Sequence, residues 1–223
     1  MKNTANELII IGTGPQAQIA RDYFHEFSDK KVLGFACHEK YREKENIYGL
    51  PIFTIEALTE SHSPEDCLAF VAVGYRKMNK MRQALYEEVK GLGFAFANFI
   101  HPKATVSESA HLGENVFVFE DNTIQPYVRI GNNTVLWSGN HIGHHSTIGD
   151  HCFISSHVVV SGSCCIGNNV FVGVNATFHD SLTISDECLI GAGALIAKST
   201  KPKEVYLSSR TKPFPKDSEA LGF

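Results

Sequence analysis

The sequence predicts two structured parts, an α/β domain over residues 1–98 and a parallel β-helix over residues 99–198, followed by a C-terminal tail over residues 199–223. Three observations carry this prediction. Strand and helix patterns alternate in the first half, a large apolar residue stands at every sixth position of the second half, and glycine, asparagine or aspartate stands beside many of those residues. A length of 223 residues with 43% hydrophobic content allows one large or two small domains.

The first half reads as a small Rossmann-like βαβ arrangement. It begins with a strand, a glycine turn and an amphipathic helix in ELIIIGTGPQAQIARDYFHEF. The strands VLGFA and CLAFVAVG follow, then the helical RKMNKMRQALYEEVKGLG and the stretch FAFANF. Gly12 and Gly14 would let backbone N–H groups approach a phosphate, although a purely structural tight turn explains GTGPQA nearly as well. The second strand ends in Cys37, His38 and Glu39, and the domain is short, so a nicotinamide cofactor is not expected.

The second half repeats every six residues. Seventeen large apolar residues run from Ile100 to Ile196 at this spacing without a break in phase. A helix has a period of 3.6 residues and cannot keep such a pattern on one face. Each hexad therefore makes a short strand and a corner, and three hexads close a coil of eighteen residues. A second inward position, two residues before the large apolar one, holds small residues, which include Ala104, Ala110, Ser146, Cys152, Cys164, Ala176, Cys188 and Ala194. Three of the six cysteines are therefore predicted to be small core residues.

Composition excludes several classes of protein. A net charge of -4 and a pI near 6.2 do not favour a nucleic-acid binder. No apolar run approaches the roughly 20 residues that cross a bilayer, and the N-terminal residues lack a secretory pattern. The six cysteines lack metal-site spacing, so reduced thiols in a cytoplasmic protein are expected.

The hexads resemble the left-handed β-helix of the hexapeptide-repeat acyltransferases. With the glycine-turn domain and the joint ANFIHPKATV, nearly the whole chain resembles the sugar acyltransferases of bacterial glycan synthesis. These include N-acetyltransferases of nucleotide-linked 4-amino sugars and sialic-acid O-acetyltransferases, and N-acetyl transfer is the first hypothesis. The resemblance implies a cytoplasmic homotrimer with active sites between subunits. It also implies acetyl-CoA as co-substrate, a nucleotide-linked amino sugar as acceptor, and no metal.

The resemblance also places the catalytic base. HHSTIGD aligns with the family pattern H-[DE]-x-x-IG-[DE], which puts His144 on the base and His145 where the family has an acidic residue. A carboxylate there would orient the imidazole and stabilise its cation, whereas a protonated His145 would oppose that cation. Asp150 or a residue of a neighbouring subunit remains a candidate for the missing acid.

Further site residues are predicted for the two substrates. Gly162 stands one coil after His144, and its missing side chain would leave room for an acyl chain or pantetheine arm. The resemblance implies coenzyme A contacts at Ser155, Gly162, Gly191, Ala192 and Gly193. It implies nucleotide-sugar contacts at Gly12, Gly14, Pro15, Gln16, Cys37, His38, Gly74 and Tyr75. Basic residues after Ala197 could meet the phosphates of coenzyme A, namely Lys198, Lys201, Lys203, Arg210 and Lys212.

Two rival hypotheses stay open. Zinc catalysis would need two histidines five residues apart, and the chain has no such pair. A non-catalytic solenoid subunit is the other alternative, although a scaffold does not need a glycine-turn domain. Of the other corner histidines, His151 is explained as an ordinary polar corner residue, and His157 as a further candidate contact to the thioester.

Overall fold

A computed structural model describes residues 6–209, 211–213 and 215–222. Of the predicted phosphate contacts, Arg210 lies outside these residues. The described part divides into a small α/β domain and a long parallel β-helix, in the order that the sequence predicts.

The small domain is a five-stranded sheet with helices on both faces. Its strands are β1 (Glu7–Ile11), β2 (Lys31–Cys37), β3 (Asn46–Ile47), β4 (Leu50–Thr54) and β5 (Cys67–Val71), and its helices are α1 (Pro15–Phe27), α2 (Leu58–Ser61) and α3 (Lys80–Gly91). The strand order is β3-β4-β2-β1-β5, with all pairs parallel except β3 with β4. The stretch FAFANF does not form a further strand of this sheet. Phe96 makes one isolated bridge to Ala69 of β5, and the last residue, Phe99, belongs to the first coil of the β-helix. Strands β3 and β4 lie in a segment for which the sequence made no prediction.

Three parallel sheets form the sides of the β-helix. Sheet 1 consists of Phe99–Ile100, Phe117–Val118, Val135–Leu136, Phe153–Ile154, Phe171–Val172, Leu189–Ile190 and Val205–Tyr206. Sheet 2 consists of Thr105–Val106, Thr123–Ile124, His141–Ile142, Val159–Val160, Thr177–Phe178 and Leu195–Ile196. Sheet 3 consists of His111–Leu112, Arg129–Ile130, Thr147–Ile148, Cys165–Ile166 and Thr183–Ile184. The chain passes from sheet 1 to 2 to 3 and back, so the three edges are called corner 1–2, corner 2–3 and corner 3–1.

The predicted inward residues form the core of the solenoid. Fourteen of the seventeen, from Val118 to Ile196, are buried at 3% exposure or less, and Cys152, Cys164 and Cys188 are fully buried among them. Ile100 is 42% exposed because it belongs to the first coil, which has no coil beneath it in the described structure. All six cysteines are free thiols.

The corners explain why histidines gather in this region. The fourth residue of each hexad adopts a left-handed backbone conformation from Asn115 through Gly193. His145, His151 and His157 occupy three successive corners of this kind, with φ of 59°, 60° and 57°. Histidine, like asparagine and aspartate, visits this region more readily than bulky residues do. The backbone therefore accounts for their spacing of six without requiring a shared ligand.

The small domain packs on the outer face of sheet 1. Outward residues of that sheet, including Phe117, Val135 and Phe153, join one apolar cluster with β1, α1 and β5 of the small domain. The buried guanidinium of Arg82 in α3 donates to the carbonyls of Asn133, His151 and Cys152 at 3.3, 2.8 and 2.9 Å. These contacts join the two parts without a flexible linker.

The solenoid continues beyond residue 198, where the sequence prediction ended it. Val205–Tyr206 pairs with Leu189–Ile190 at an offset of sixteen residues, so the final coil is two residues short. Ser208 continues beside Ala192, whose carbonyl accepts a hydrogen bond from the Ser208 hydroxyl at 2.7 Å. The first residues of the predicted tail are therefore part of the β-helix. Within the described ranges, no helix has the length and apolar character to cross a membrane.

Candidate active site

Corner 2–3 carries the predicted base. His144 is the third residue of its hexad, and its side chain is exposed. Two hydrogen bonds hold its backbone: the N–H donates to Oε1 of Gln125 at 2.8 Å, and the carbonyl accepts from the N–H of Ser163 at 2.8 Å. The backbone that carries the imidazole is therefore fixed by the coil before it and by the coil after it.

Gly162 lies directly against the imidazole of His144. A Cβ at Gly162 would stand 2.7 Å from Cε1 and 2.9 Å from Nε2 of His144, which is closer than real side chains approach. The missing side chain therefore leaves room for the imidazole itself. The sequence predicted that this room would hold an acyl chain or pantetheine arm, and the structure fills it with the His144 ring. Among the described residues, the backbone N–H of Gly162 has no hydrogen-bond acceptor, so this corner also has a free donor.

The second ring nitrogen of His144 meets His145, not an acid. The two Nδ1 atoms are 3.2 Å apart, and the His145 ring lies 4.7 Å from the ring of Tyr127. Asp150, the predicted substitute for the acid, is at corner 3–1, where its carboxylate accepts from the backbone N–H of Asn132 at 2.6 Å. That prediction is wrong because Asp150 belongs to a ladder of side-chain acceptors that caps successive coils.

Sequence reasoning missed Gln125 and Tyr127. Both lie one coil before the histidines, nineteen residues before His144 and eighteen before His145. Counting back one coil from the predicted base would have found them. A groove of about 310 Å³ opens beside His145 on sheet 3. Its lining residues are Ser109, His111, Tyr127, Arg129, His145 and Thr147.

The predicted coenzyme A residues lie on a different corner from His144. Ser155, Gly191, Ala192 and Gly193 follow strands of sheet 1 and border corner 1–2, whereas Gly162 is at corner 2–3. Ser155 is buried, and Ala192 and Gly193 are exposed. Within one chain, sheet 2 therefore separates these residues from the imidazole.

The small domain brings six of its eight predicted residues together at the carboxyl ends of β1 and β5. Gly12 has φ of 124°, and a Cβ there would lie 2.9 Å from the carbonyl oxygen of Ala72, so only glycine fits. Gly14 and Pro15 begin α1, whose N-terminus has no side-chain cap. Gln16 lies near Gly74, and its Nε2 is buried with no partner among the described residues. An uncapped helix N-terminus beside a glycine turn suits an anion such as a phosphate.

The remaining two predicted residues, Cys37 and His38, lie at the end of the neighbouring strand β2, at the same edge of the sheet. Tyr75 has a role in packing. Tyr75 lays its ring 4.9 Å from Phe153 and 4.7 Å from Phe171 of sheet 1, and half of it stays exposed. Cys37 is 8% exposed within the core, and burial raises the pKa of its thiol, so its side chain is not placed to contact a nucleotide. His38 is held between two carboxylates, with Nδ1 2.9 Å from Glu56 and Nε2 3.2 Å from Glu88.

The described residues include no group of three histidine, cysteine, aspartate or glutamate side chains placed to hold a metal ion. Of the other histidines, His151 is 8% exposed beneath α3, and burial lowers its pKa. Its Nδ1 accepts from Nδ2 of Asn133 at 2.9 Å. His157 is exposed at corner 1–2, where its ring lies against Gly139 of the preceding coil.

Comparisons with known proteins agree with this architecture. A family model described as bacterial transferase hexapeptide (six repeats) matches residues 127–162, and one described as hexapeptide repeat of succinyl-transferase matches residues 165–198. The comparison with curated proteins finds no match.

Solved structures match almost the whole chain. The acetyltransferase domain of PglB from Neisseria gonorrhoeae FA1090 is 25% identical, with 94% of this chain and 100% of that chain covered and a TM-score of 0.83. PerB from Caulobacter crescentus, in complex with CoA and GDP-perosamine, is 25% identical, with 91% and 94% covered and a TM-score of 0.80. The PglB domain in complex with acetyl coenzyme A is 25% identical, with 94% and 100% covered and a TM-score of 0.65. These matches confirm the predicted fold class, a small α/β domain followed by a left-handed β-helix.

Proposed function

Because the chain belongs to the hexapeptide-repeat acyltransferases with a left-handed β-helix, we propose that it transfers an acyl group from a coenzyme A thioester to the 4-amino group of a nucleotide-linked sugar. Acetyl is the expected group. PerB, which binds CoA and GDP-perosamine in its solved complex, supports this pair of substrates. The reaction would serve glycan synthesis in the cytoplasm, where the free cysteines would stay reduced.

The observation that carries the proposal is the pairing of His144 with Gly162 at corner 2–3. An amine that attacks a thioester must lose a proton, and a neutral imidazole is suited to take it near neutral pH. The tetrahedral oxyanion that forms needs a hydrogen-bond donor aimed at it. The backbone N–H of Gly162, which has no acceptor in the described structure, is the donor that we assign to this task. No covalent intermediate on the protein is required.

The position of the small domain supports a site shared between copies of the chain. The domain covers sheet 1, and corner 2–3 is the edge of the triangular coil opposite that sheet. A sugar nucleotide held at Gly12, Gly14, Pro15, Gln16, Gly74 and Tyr75 therefore lies away from His144 of its own chain. We infer that its amino group reaches His144 of a neighbouring subunit in a homotrimer. Coenzyme A would then lie between subunits, in contact with Ser155, Gly162, Gly191, Ala192 and Gly193.

The first experiment follows thiol release from acetyl-CoA with a panel of UDP-, dTDP- and GDP-linked amino sugars. Turnover of one 4-amino sugar is expected, and His144→Asn should lower kcat by at least about 100-fold because general-base catalysis supplies that much. The variant must keep the oligomeric state and the melting temperature of the wild type. Silence of the folded wild type across the whole panel would contradict N-acyl transfer, and the same assay with free sugars would then test O-acyl transfer.

Subunit complementation tests the shared site. His144→Asn and Tyr75→Ala are each expected to be impaired, the first in its base and the second in its nucleotide site. If one chain supplies the base and its neighbour the nucleotide site, a randomly mixed 1:1 trimer regains about a quarter of wild-type activity. Mixtures no more active than the average of the two variants would place both functions in one chain.

A further inference from the structure

The position beside the base carries an imidazole where the resembling family has a carboxylate, and the structure shows what it contacts. Nδ1 of His145 lies 3.2 Å from Nδ1 of His144, and the two rings are nearly perpendicular, at 85°. No aspartate or glutamate lines the groove beside His145. We propose that His145 is the positioning residue of the base, accepting a hydrogen bond from Nδ1 of His144 in place of a carboxylate. This proposal rests on the proposed role of His144.

The contact between two Nδ1 atoms has a single workable proton arrangement. A hydrogen bond needs one donor and one acceptor, so only one of the two nitrogens carries the shared proton. If Nδ1 of His144 carries it, Nε2 of the same ring has a free lone pair and faces Gly162. The reverse arrangement puts the proton of His144 on Nε2 and leaves no base there. An acceptor at Nδ1 of His145 therefore holds His144 in the tautomer that catalysis requires.

This pair of histidines can take up and return the proton that the reaction transfers. As the amine nitrogen bonds to the thioester carbon, its N–H bond breaks and the proton passes to Nε2 of His144. The Nδ1–H of the resulting imidazolium is then donated to the neutral Nδ1 of His145, which shares the positive charge. When the C–S bond breaks, the thiolate of coenzyme A takes one proton from the pair. Both imidazoles return to their starting forms.

The surroundings of His145 suit an acceptor that shares a cation. The face of Tyr127 lies 4.7 Å from the His145 ring with an interplanar angle of 38°. An aromatic face attracts a cation by its quadrupole. The other titratable or charged groups of the groove are His111 and Arg129 on sheet 3. The backbone N–H of His145 donates to the carbonyl of Pro126 at 3.1 Å, which holds the corner in place.

A matched pair of variants tests the proposal by kinetics. Aspartate and glycine both tolerate the left-handed backbone at position 145, and only aspartate supplies an acceptor for Nδ1 of His144. His145→Asp should keep kcat within about tenfold of the wild type, and His145→Gly should fall at least about tenfold below His145→Asp, with both KM values unchanged. Tyr127→Leu should lower kcat about two- to fivefold. Equal kcat in the aspartate and glycine variants would overturn the proposal.

Nitrogen-15 NMR of the histidine rings tests the pairing without turnover. The wild-type spectrum should show His144 protonated at Nδ1, with its signals identified by their loss in His144→Asn. His145→Gly, which removes the acceptor, should shift His144 towards the Nε2-protonated tautomer. An unchanged His144 tautomer in His145→Gly would overturn the proposal. Because this readout needs no acyl donor or acceptor, it separates a failure of the pairing from a failure of the proposed acyltransferase activity.

Discussion

Replacing Gly162 with alanine tests whether the position of the His144 imidazole governs turnover. The added Cβ would lie 2.7 Å from Cε1 and 2.9 Å from Nε2 of that ring. Nonbonded carbon atoms settle near 3.5 Å, so the ring must move by roughly 0.6–0.8 Å. Since a misplacement of about 1 Å can cost about 100-fold in rate, Gly162→Ala should lower kcat by about 10- to 100-fold.

The loss should come without a loss of stability. Gly162 is not among the residues with positive φ, so alanine fits its backbone, and the stiffer unfolded chain favours folding by about 0.4–1 kcal/mol. The assay is steady-state thiol release together with urea unfolding of the same samples. Gly91→Ala is the matched control, because a Cβ there meets nothing within 4 Å. It should leave kcat unchanged.

A double-mutant cycle separates this mechanism from a general disturbance of the corner. If Gly162→Ala acts by displacing the imidazole, it should cost almost nothing further in a His144→Asn background. Full additivity of the two losses would refute the reasoning. So would a folded Gly162→Ala protein that keeps the oligomeric state of the wild type and has kcat within about twofold of it.

Three further predictions concern stability and the ladder of corner residues. Arg82→Met leaves three buried acceptors without their donor, namely the carbonyls of Asn133 and His151 and Oδ1 of Asn79. At about 1 kcal/mol each, this loss should lower the free energy of unfolding by about 3 kcal/mol in urea titrations. Arg21→Met, which removes an exposed ion pair, should cost under about 0.5 kcal/mol. Burial lowers the pKa of His151 below its ordinary 6.5, so the unfolded chain binds the extra proton and stability should fall by up to about 1.4 kcal/mol per pH unit as the pH drops through and below about 6.5. In urea titrations at two pH values, the free energy of unfolding of His151→Asn should depend less on pH than that of the wild type. An equal pH dependence in the two proteins would contradict this account. Asp150→Asn keeps an acceptor for the backbone N–H of Asn132, so kcat should stay within about twofold, and a tenfold loss would restore Asp150 as the partner of the base.

The fold was largely predictable because its signal is local and repeated. Seventeen apolar residues in one phase predict the strands and the inward side chains, and fourteen of them are buried as that phase requires. The strand, turn and helix around Gly12 also follow from a short stretch. Strands β3 and β4 escaped prediction because β3 is a two-residue strand and β4 contains Pro51, so neither shows a long alternating pattern.

The candidate site was predictable only in part. The position of His144 follows from a motif, whereas its neighbours depend on which residues stack one coil away. Asp150 is six residues from His144, but one hexad later the chain has already turned through a corner onto another edge of the coil. Tyr127 is eighteen residues from His145, yet their rings lie 4.7 Å apart. Distance along this chain is a poor guide to contact unless it is counted in whole coils.

The two-part architecture, the six-residue period and the corner position of His144 follow from the sequence, because each is written in a local pattern of residues. Only the folded chain shows that the small domain covers sheet 1, that Gly162 contacts the imidazole and that Nδ1 of His145 lies 3.2 Å from Nδ1 of His144. The first depends on packing through Arg82 and the outward aromatic residues of sheet 1, and the other two on how side chains meet at one corner of the coil. Such packing is set by shape and hydrogen bonding between distant segments, which no local period records.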